Sequence, residues 1–137
     1  MQVQDPNALR APQALHELPA TELIEAFRRR ELSPVEVTQS VLGHIERWEQ
    51  HLKALYLLRP ELALQQARAS EARWREGAPL GPLDGVPVTI KDNIATRGDP
   101  MPLGTAAADL VPAAADAPPA ARLKESGAVV VAKTTMP

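Results

Sequence analysis

A run of strand-forming residues that ends on a lysine is the part of this sequence best suited to chemistry. The run 85–90 (Gly-Val-Pro-Val-Thr-Ile) is followed directly by Lys91, Asp92 and Asn93. A strand can deliver a lysine to a partly buried floor, where an ammonium group loses hydration and is deprotonated more easily. We therefore take Lys91 as a candidate general base. Asp92 and Asn93 are supporting candidates that hold the turn and orient the lysine through hydrogen bonds.

Spacing alone leaves the role of Lys91 open, because a lysine at the end of a strand is usually solvated. The other ionisable residues considered are interpreted as structural. A second lysine, Lys133, follows the apolar run 128–132, and we interpret it as structural. His44 and His51 have no acidic residue placed to complete a metal site, so no metal is predicted.

Composition narrows the class of protein. The chain has 137 residues and 45% hydrophobic content, which suit one domain with a core. A formal net charge of -2, with acids and bases interspersed, gives no basic footprint for nucleic acid or an anionic membrane. There is no cysteine, which excludes disulfides, thiolate metal sites and cysteine nucleophiles. No secretory signal or membrane-spanning run is visible, so a cytoplasmic protein is expected.

The first half of the chain is predicted to be mainly helical. A helix is expected over residues 20–31, and a second begins where Ser33 and Glu36 can form a capping box. A short strand is predicted at 55–58, followed by a third helix that ends near Gly77. In the second helix a core-facing stripe is formed by Val37, Val41, Ile45 and Trp48. Near the end of the third helix, the ring of Trp74 is predicted to cover the core.

After Gly77, proline and glycine replace the helical pattern. Strands are predicted at 86–90 and 128–132, and the second is an apolar run typical of a strand buried on both faces of an α/β sheet. A long loop and a helix that begins at 116–118 connect them. We therefore predict an α/β fold: N-terminal helices, then the first part of a mixed sheet with helices on both faces. If the two strands are parallel, their lysines share the carboxyl edge, where such folds bind ligands.

The residues resemble a known family. The segment 81–93, Gly-Pro-Leu-Asp-Gly-Val-Pro-Val-Thr-Ile-Lys-Asp-Asn, is similar to the region around the catalytic lysine of amidase signature enzymes. The match continues through segments 116–118, 123–128 and 133–137, and upstream through 31–37 and 45–47. The resemblance covers residues 18–137. It implies the N-terminal part of a single amidase signature domain, incomplete at its C-terminus. Residues 1–17, before the matched region, are predicted from their own sequence to be a loosely ordered arm.

The resemblance implies a hydrolase with a Ser–cis-Ser–Lys triad and no cofactor. In that chemistry a neutral lysine accepts a proton through the bridging serine, and the second serine attacks an amide carbonyl. Water then hydrolyses the acyl-enzyme. Of the three residues of the triad, only the lysine has a counterpart in this sequence, which is Lys91. The two catalytic serines lie downstream of Pro137 in such proteins, and the serines present match neither role: Ser33, Ser40, Ser70 and Ser126. A small amide is the implied substrate, with no direct nucleic-acid or membrane partner. A homodimer of the full-length enzyme is left open.

Alternatives remain open at this stage. The parent protein is either an amidase or the amidase subunit of a tRNA-dependent amidotransferase, which frees ammonia from glutamine for a partner. A noncatalytic, truncated module is the alternative from another class. One departure from the family lies at 101–105, Met-Pro-Leu-Gly-Thr, where relatives often carry paired threonines before Gly-Ser. The substrate is therefore not identified.

Overall fold

A computed structural model describes residues 13–136, in which four α-helices and three strands follow a short 3-10 helix at Leu15–Glu17. The elements are α1 (Ala20–Arg29), α2 (Pro34–Leu52), β1 (Leu55–Leu58), α3 (Pro60–Glu76), β2 (Pro87–Lys91), α4 (Pro118–Glu125) and β3 (Val129–Thr134). Most of the arm predicted at 1–17 lies outside the described residues. None of the helices within 13–136 is both long and apolar enough to cross a membrane.

Local capping explains where α1 ends and where α2 begins. As predicted, Ser33 and Glu36 form a capping box: the Glu36 amide donates to Ser33 Oγ (3.2 Å), and the Ser33 amide donates to Glu36 Oε2 (2.9 Å). α1 ends at Arg29, before the predicted limit of 31, because Arg30 turns into the left-handed region with φ 59°. Its amide then caps carbonyls of the last turn.

β3 is the central strand of a three-stranded sheet with the order β1-β3-β2 in the described chain. β2 runs parallel to β3, with Ile90 opposite Lys133 and Lys91 opposite Thr134, while β1 is antiparallel to β3. Since α4 connects β2 to β3, the predicted crossover unit and mixed sheet are confirmed. β3 continues past the predicted end at 132 because its last two residues still pair with β2.

Small side chains on α3 bring this helix close to the central strand. Ala63 and Ala67 are fully buried and form a core cluster with Val129 and Val131 of β3. Alanine permits a close helix-to-sheet approach, and each buried valine contributes on the order of 2 kcal/mol through removal of apolar surface from water. The helical first half is thereby fixed to the strands that follow it.

The two tryptophans differ in their surroundings. Trp74 packs on a second cluster built around Phe27, at a ring-centroid distance of 6.1 Å, as predicted. Trp48 is 46% exposed and lies beside His44 and His51, so its predicted place in the core is wrong. The reason is that the last turns of α2 are largely exposed, beyond the elements on which its first half packs.

A buried ion pair holds the turn before β2. The fully buried Asp84 carboxylate accepts hydrogen bonds from Arg73 Nε (2.8 Å), Arg73 Nη2 (2.7 Å) and the Leu80 amide (2.7 Å). Burial alone raises the pKa of Asp84, but the hydrogen bonds to its carboxylate, foremost those from Arg73, outweigh burial and hold that pKa below its ordinary value. At Gly127 a Cβ would lie 2.6 Å from the carboxylate, so this position excludes larger residues.

We expect Arg73→Met to lower the free energy of unfolding by about 3 kcal/mol at neutral pH, because it leaves a buried carboxylate unpaired. The folded-state pKa of Asp84 is depressed, so the pair stabilises the protein above the unfolded-state pKa and is lost as pH falls through the folded value. The difference between wild type and variant should therefore shrink below a pH of about 4. Urea unfolding of both proteins over the acidic range measures it.

Arg75→Met is the matched control. Arg75 is exposed and pairs with the partly buried Glu71 (2.9 Å), and ion pairs at the surface contribute less than about 1 kcal/mol. A deficit for Arg73→Met that is as small as that of the control, or independent of pH, would contradict the assigned role of the buried pair.

Candidate active site

Lys91 is the last residue of β2, at the carboxyl edge of the parallel strand pair. Side chains alternate along a strand, so Lys91 shares a face with Thr89, whereas Ile90 is directed into the core. Both Lys91 and Thr89 are exposed among the described residues. Residues 13–136 thus bring the lysine to the predicted edge and leave its ammonium group open to solvent.

Lys133 lies on the other face of the sheet, beside Ile90, and is only 1% exposed. Its ammonium group donates a hydrogen bond to the carbonyl of Ile94, in the turn that follows β2. Burial lowers the pKa of Lys133, while the carboxylates of Asp99 and Asp92 act in the opposite direction. The side chain therefore ties the end of β3 to that turn, in keeping with its structural interpretation.

Asp92 is buried and holds a distant loop. Its carboxylate accepts hydrogen bonds from the amides of Leu103 (3.1 Å) and Gly104 (2.9 Å), and its own amide donates to the Thr134 carbonyl (3.0 Å). Within residues 13–136 no hydrogen bond joins this carboxylate to the ammonium group of Lys91. Asp92 therefore supports the strand end through the backbone around it.

Asn93 and its neighbours form the turn after the strand. The Ile94 amide donates to the Lys91 carbonyl (3.0 Å), which closes the turn, and Asn93 is exposed within it. The turn thus has a backbone bond of its own as well as the contact from Lys133. Its position at the sheet edge agrees with the location predicted from sequence.

The loop between β2 and α4 is fastened to β1 and to the start of α3. The Tyr56 hydroxyl donates to the Pro100 carbonyl (2.7 Å), and Arg59 pairs with Asp99 (2.8 Å). Burial raises the pKa of Tyr56 to about 12, and the charges of Asp92 and Asp99 act in the same direction. The phenol therefore remains a neutral donor at physiological pH, and the loop is anchored on both sides.

The four serines of the chain all lie in the described part and occupy structural positions. Ser33 caps α2, and Ser40 lies within α2 at 3.0 Å from Nδ1 of His16. Ser70 is buried in α3, and Ser126 follows α4, where its hydroxyl donates to a carbonyl of the last turn. The site therefore holds a candidate base but no serine placed as its nucleophile.

The histidines form a surface group. His16 stacks on His44 with 4.1 Å between ring centroids, and His51 contacts Trp48 edge-on. In the described part of the chain, no three His, Asp or Glu side chains are arranged to hold a metal ion. The sequence-based interpretation of His44 and His51 as non-ligands remains a prediction.

Sequence reasoning missed the tight turn at residues 102–105. The Thr105 amide donates to the Pro102 carbonyl (3.1 Å), and both central residues have positive φ, 51° for Leu103 and 72° for Gly104. The one signal in the sequence was Gly104, since glycine favours this region of backbone space. Nothing in the local sequence indicated that a leucine would share the conformation.

Comparison with known proteins supplies the family. A family model described as Amidase matches residues 36–137. The protein named "Putative amidase AmiD" from Mycobacterium tuberculosis (strain ATCC 25618 / H37Rv) is 39% identical over 123 residues, 90% of this chain and 26% of that protein. One component of the glutamyl-tRNA(Gln) amidotransferase of Moorella thermoacetica (strain ATCC 39073 / JCM 9320) is 39% identical over 123 residues, 89% of this chain and 25% of that protein.

A solved structure agrees with these matches. A bacterial aryl acylamidase of the amidase signature enzymes family superposes with a TM-score of 0.81 and 27% identity, over 91% of this chain and 26% of that chain. The chain thus spans about a quarter of the length of the relatives it matches. Because the family model covers most of the sequence and the fold superposes on a solved member, this chain belongs to the amidase signature family.

Proposed function

We propose that this chain forms part of an amidase that hydrolyses a carboxylic amide to an acid and ammonia or an amine. The observation that carries the proposal is the position of Lys91. It ends β2 at the carboxyl edge of a parallel pair, within the segment that matches the family model. α/β folds bind their ligands at this edge, so a base there meets the substrate.

In the proposed reaction the neutral amine of Lys91 accepts a proton from a bridging cis serine. That serine in turn takes the proton of a second serine, whose oxygen forms a bond to the amide carbonyl carbon. Backbone amides stabilise the oxyanion, and collapse breaks the C–N bond as the leaving amine receives a proton through the same relay. Water then hydrolyses the acyl-enzyme. Both serines belong to sequence that would follow Pro137.

The exposure of Lys91 indicates what else the proposal needs. A base works best where water is excluded, so further chain must cover the face that carries Thr89 and Lys91. β2 is an outer strand of the described sheet, and its free edge there offers a place for a further strand. The proposed enzyme therefore completes its site by adding structure on this side.

A second candidate function is the amidase component of a tRNA-dependent amidotransferase, which releases ammonia from glutamine for a partner. Its support is the 39% identity to the Moorella thermoacetica protein, equal to that of the mycobacterial one. The two functions are separated by assaying the full-length protein on glutamine and on simple aliphatic and aromatic amides. Hydrolysis of simple amides without a partner favours the amidase.

We expect Lys91→Ala in the full-length enzyme to lower kcat by about 100-fold or more, the usual range for loss of an acid–base group, without unfolding the protein. Lys91→Arg should fail similarly, because a guanidinium group stays protonated. Wild-type activity should rise with pH, since only the neutral amine accepts a proton. Steady-state kinetics over a pH series measures both effects.

Lys53→Arg provides a matched control, because Lys53 is also exposed but follows α2, away from the sheet edge. Its turnover should equal that of the wild type. Near-normal turnover by Lys91→Arg would refute the general-base role.

Residues 1–137 expressed alone should show no amidase activity, because the base lacks a relay serine, a nucleophile and oxyanion donors. The isolated chain should also self-associate, since β2 is an outer strand of the described sheet and several apolar side chains are exposed. Amide hydrolysis assays beside sedimentation velocity test both statements. Hydrolysis that depends on Lys91, carried out by a folded monomer, would show that one of the four serines is the nucleophile after all.

A further inference from the structure

Lys133 is a charged residue on a buried face of β3 that otherwise carries apolar side chains. Because side chains alternate along a strand, Lys133 shares this face with Val129 and Val131, which pack beneath α3. It is only 1% exposed, a value that further chain can only lower. A lysine is almost never buried to this extent unless its ammonium group is paired. The partner of that group therefore indicates what the residue does.

The ammonium group of Lys133 bonds a backbone carbonyl and no carboxylate in the described part of the chain. Its acceptor there is the carbonyl of Ile94, while Asp99 and Asp92 act on it through space. Removing an ammonium group from water for one such bond costs more than burying an apolar side chain of similar length. Stability alone thus favours methionine at this position. The lysine is better explained by the turn that it holds.

That turn adjoins the candidate base. The Ile94 amide donates to the Lys91 carbonyl (3.0 Å), and the Asp92 amide donates to the carbonyl of Thr134 (3.0 Å), the residue after Lys133. Lys133 adds a third connection at the carbonyl of Ile94. Among residues 13–136 it is the one side chain that bonds the backbone of residues 91–94. Together these bonds fix the point from which the side chain of Lys91 extends.

We propose that Lys133 is a positioning residue for Lys91, and that it fixes the strand end from which the general base reaches its relay serine. This inference rests on the proposed amidase function. The two lysines project from opposite faces of the sheet, so Lys133 acts through the backbone of the turn and accepts no proton itself. A general base must lie within hydrogen-bond reach of the proton it accepts, so a small displacement of the strand end lowers turnover.

Lys133→Met in the full-length enzyme tests the inference, because it nearly keeps the length of the side chain and removes the donor. We expect kcat to fall on the order of 10- to 100-fold and KM to change by less than about 2-fold, since substrate contacts remain. The thermal midpoint should stay within a few degrees of the wild type, because an apolar side chain replaces a buried charge. Hydrogen exchange, followed by mass spectrometry, should become faster in the peptide that contains residues 91–94.

Lys124→Met is the matched control. Lys124 donates to Asp116 Oδ1 (2.7 Å), in the loop between β2 and α4, and makes no bond to residues 91–94 in the described chain. Its turnover and its exchange in the 91–94 peptide should equal those of the wild type. The control thus reports what the loss of a lysine contact near the same loop does without a change at the turn.

Several outcomes would overturn the inference and leave the amidase proposal intact. These are normal turnover by Lys133→Met, a fall in kcat without faster exchange at 91–94, and a rise in KM as large as the fall in kcat. Marked destabilisation would show that Lys133 serves the core. The rise of activity with pH should persist in Lys133→Met, because Lys91 is still the base, and loss of that rise would make Lys133 the proton acceptor. Failure of the proposed function differs, since Lys91→Ala would then hydrolyse amides as the wild type does.

Discussion

The burial of β3 is the constraint on which the rest of this structure depends. It lies between two strands and beneath α3, and Val129 and Val131 have almost no contact with solvent. Such a strand must satisfy every polar group it carries within the protein. The ammonium group of Lys133 does so by bonding the Ile94 carbonyl, which ties the strand to the turn after β2. The apolar packing of one element therefore fixes the geometry of the neighbouring strand end.

Aspartates organise the segment that lacks regular structure. Between residues 81 and 117 prolines and glycines interrupt helices and strands, and backbone N–H groups lose their usual partners. Asp84 accepts from the Leu80 amide, Asp92 from two amides of the 102–105 turn, and Asp116 from the Arg97 amide (2.8 Å). Each carboxylate replaces backbone bonds that a ladder would have supplied. The loop is consequently ordered although it contains little secondary structure.

Much of the fold could be predicted from the sequence because its signals are local. The capping box of Ser33 and Glu36, the glycine after α3 and the apolar run of β3 each act within a few residues, and the parallel pairing follows from the crossover. Contacts between distant residues could not be predicted. The partner of Asp92 lies in a loop whose path depends on the tertiary structure, and the exposure of Trp48 depends on where the elements beneath α2 end.

The two lysines at the sheet edge have different surroundings because side chains alternate between the two faces of a sheet. Lys91 and Lys133 lie one register position apart on neighbouring strands, so they project from opposite faces. Lys133 is buried, its pKa is depressed, and its ammonium group holds the turn by donating a hydrogen bond to the carbonyl of Ile94. Lys91 is exposed, and its ammonium group makes no such hydrogen bond among the described residues. Its ammonium group is open to solvent in the described part of the chain. This difference supports the proposal that Lys91, and not Lys133, is the general base.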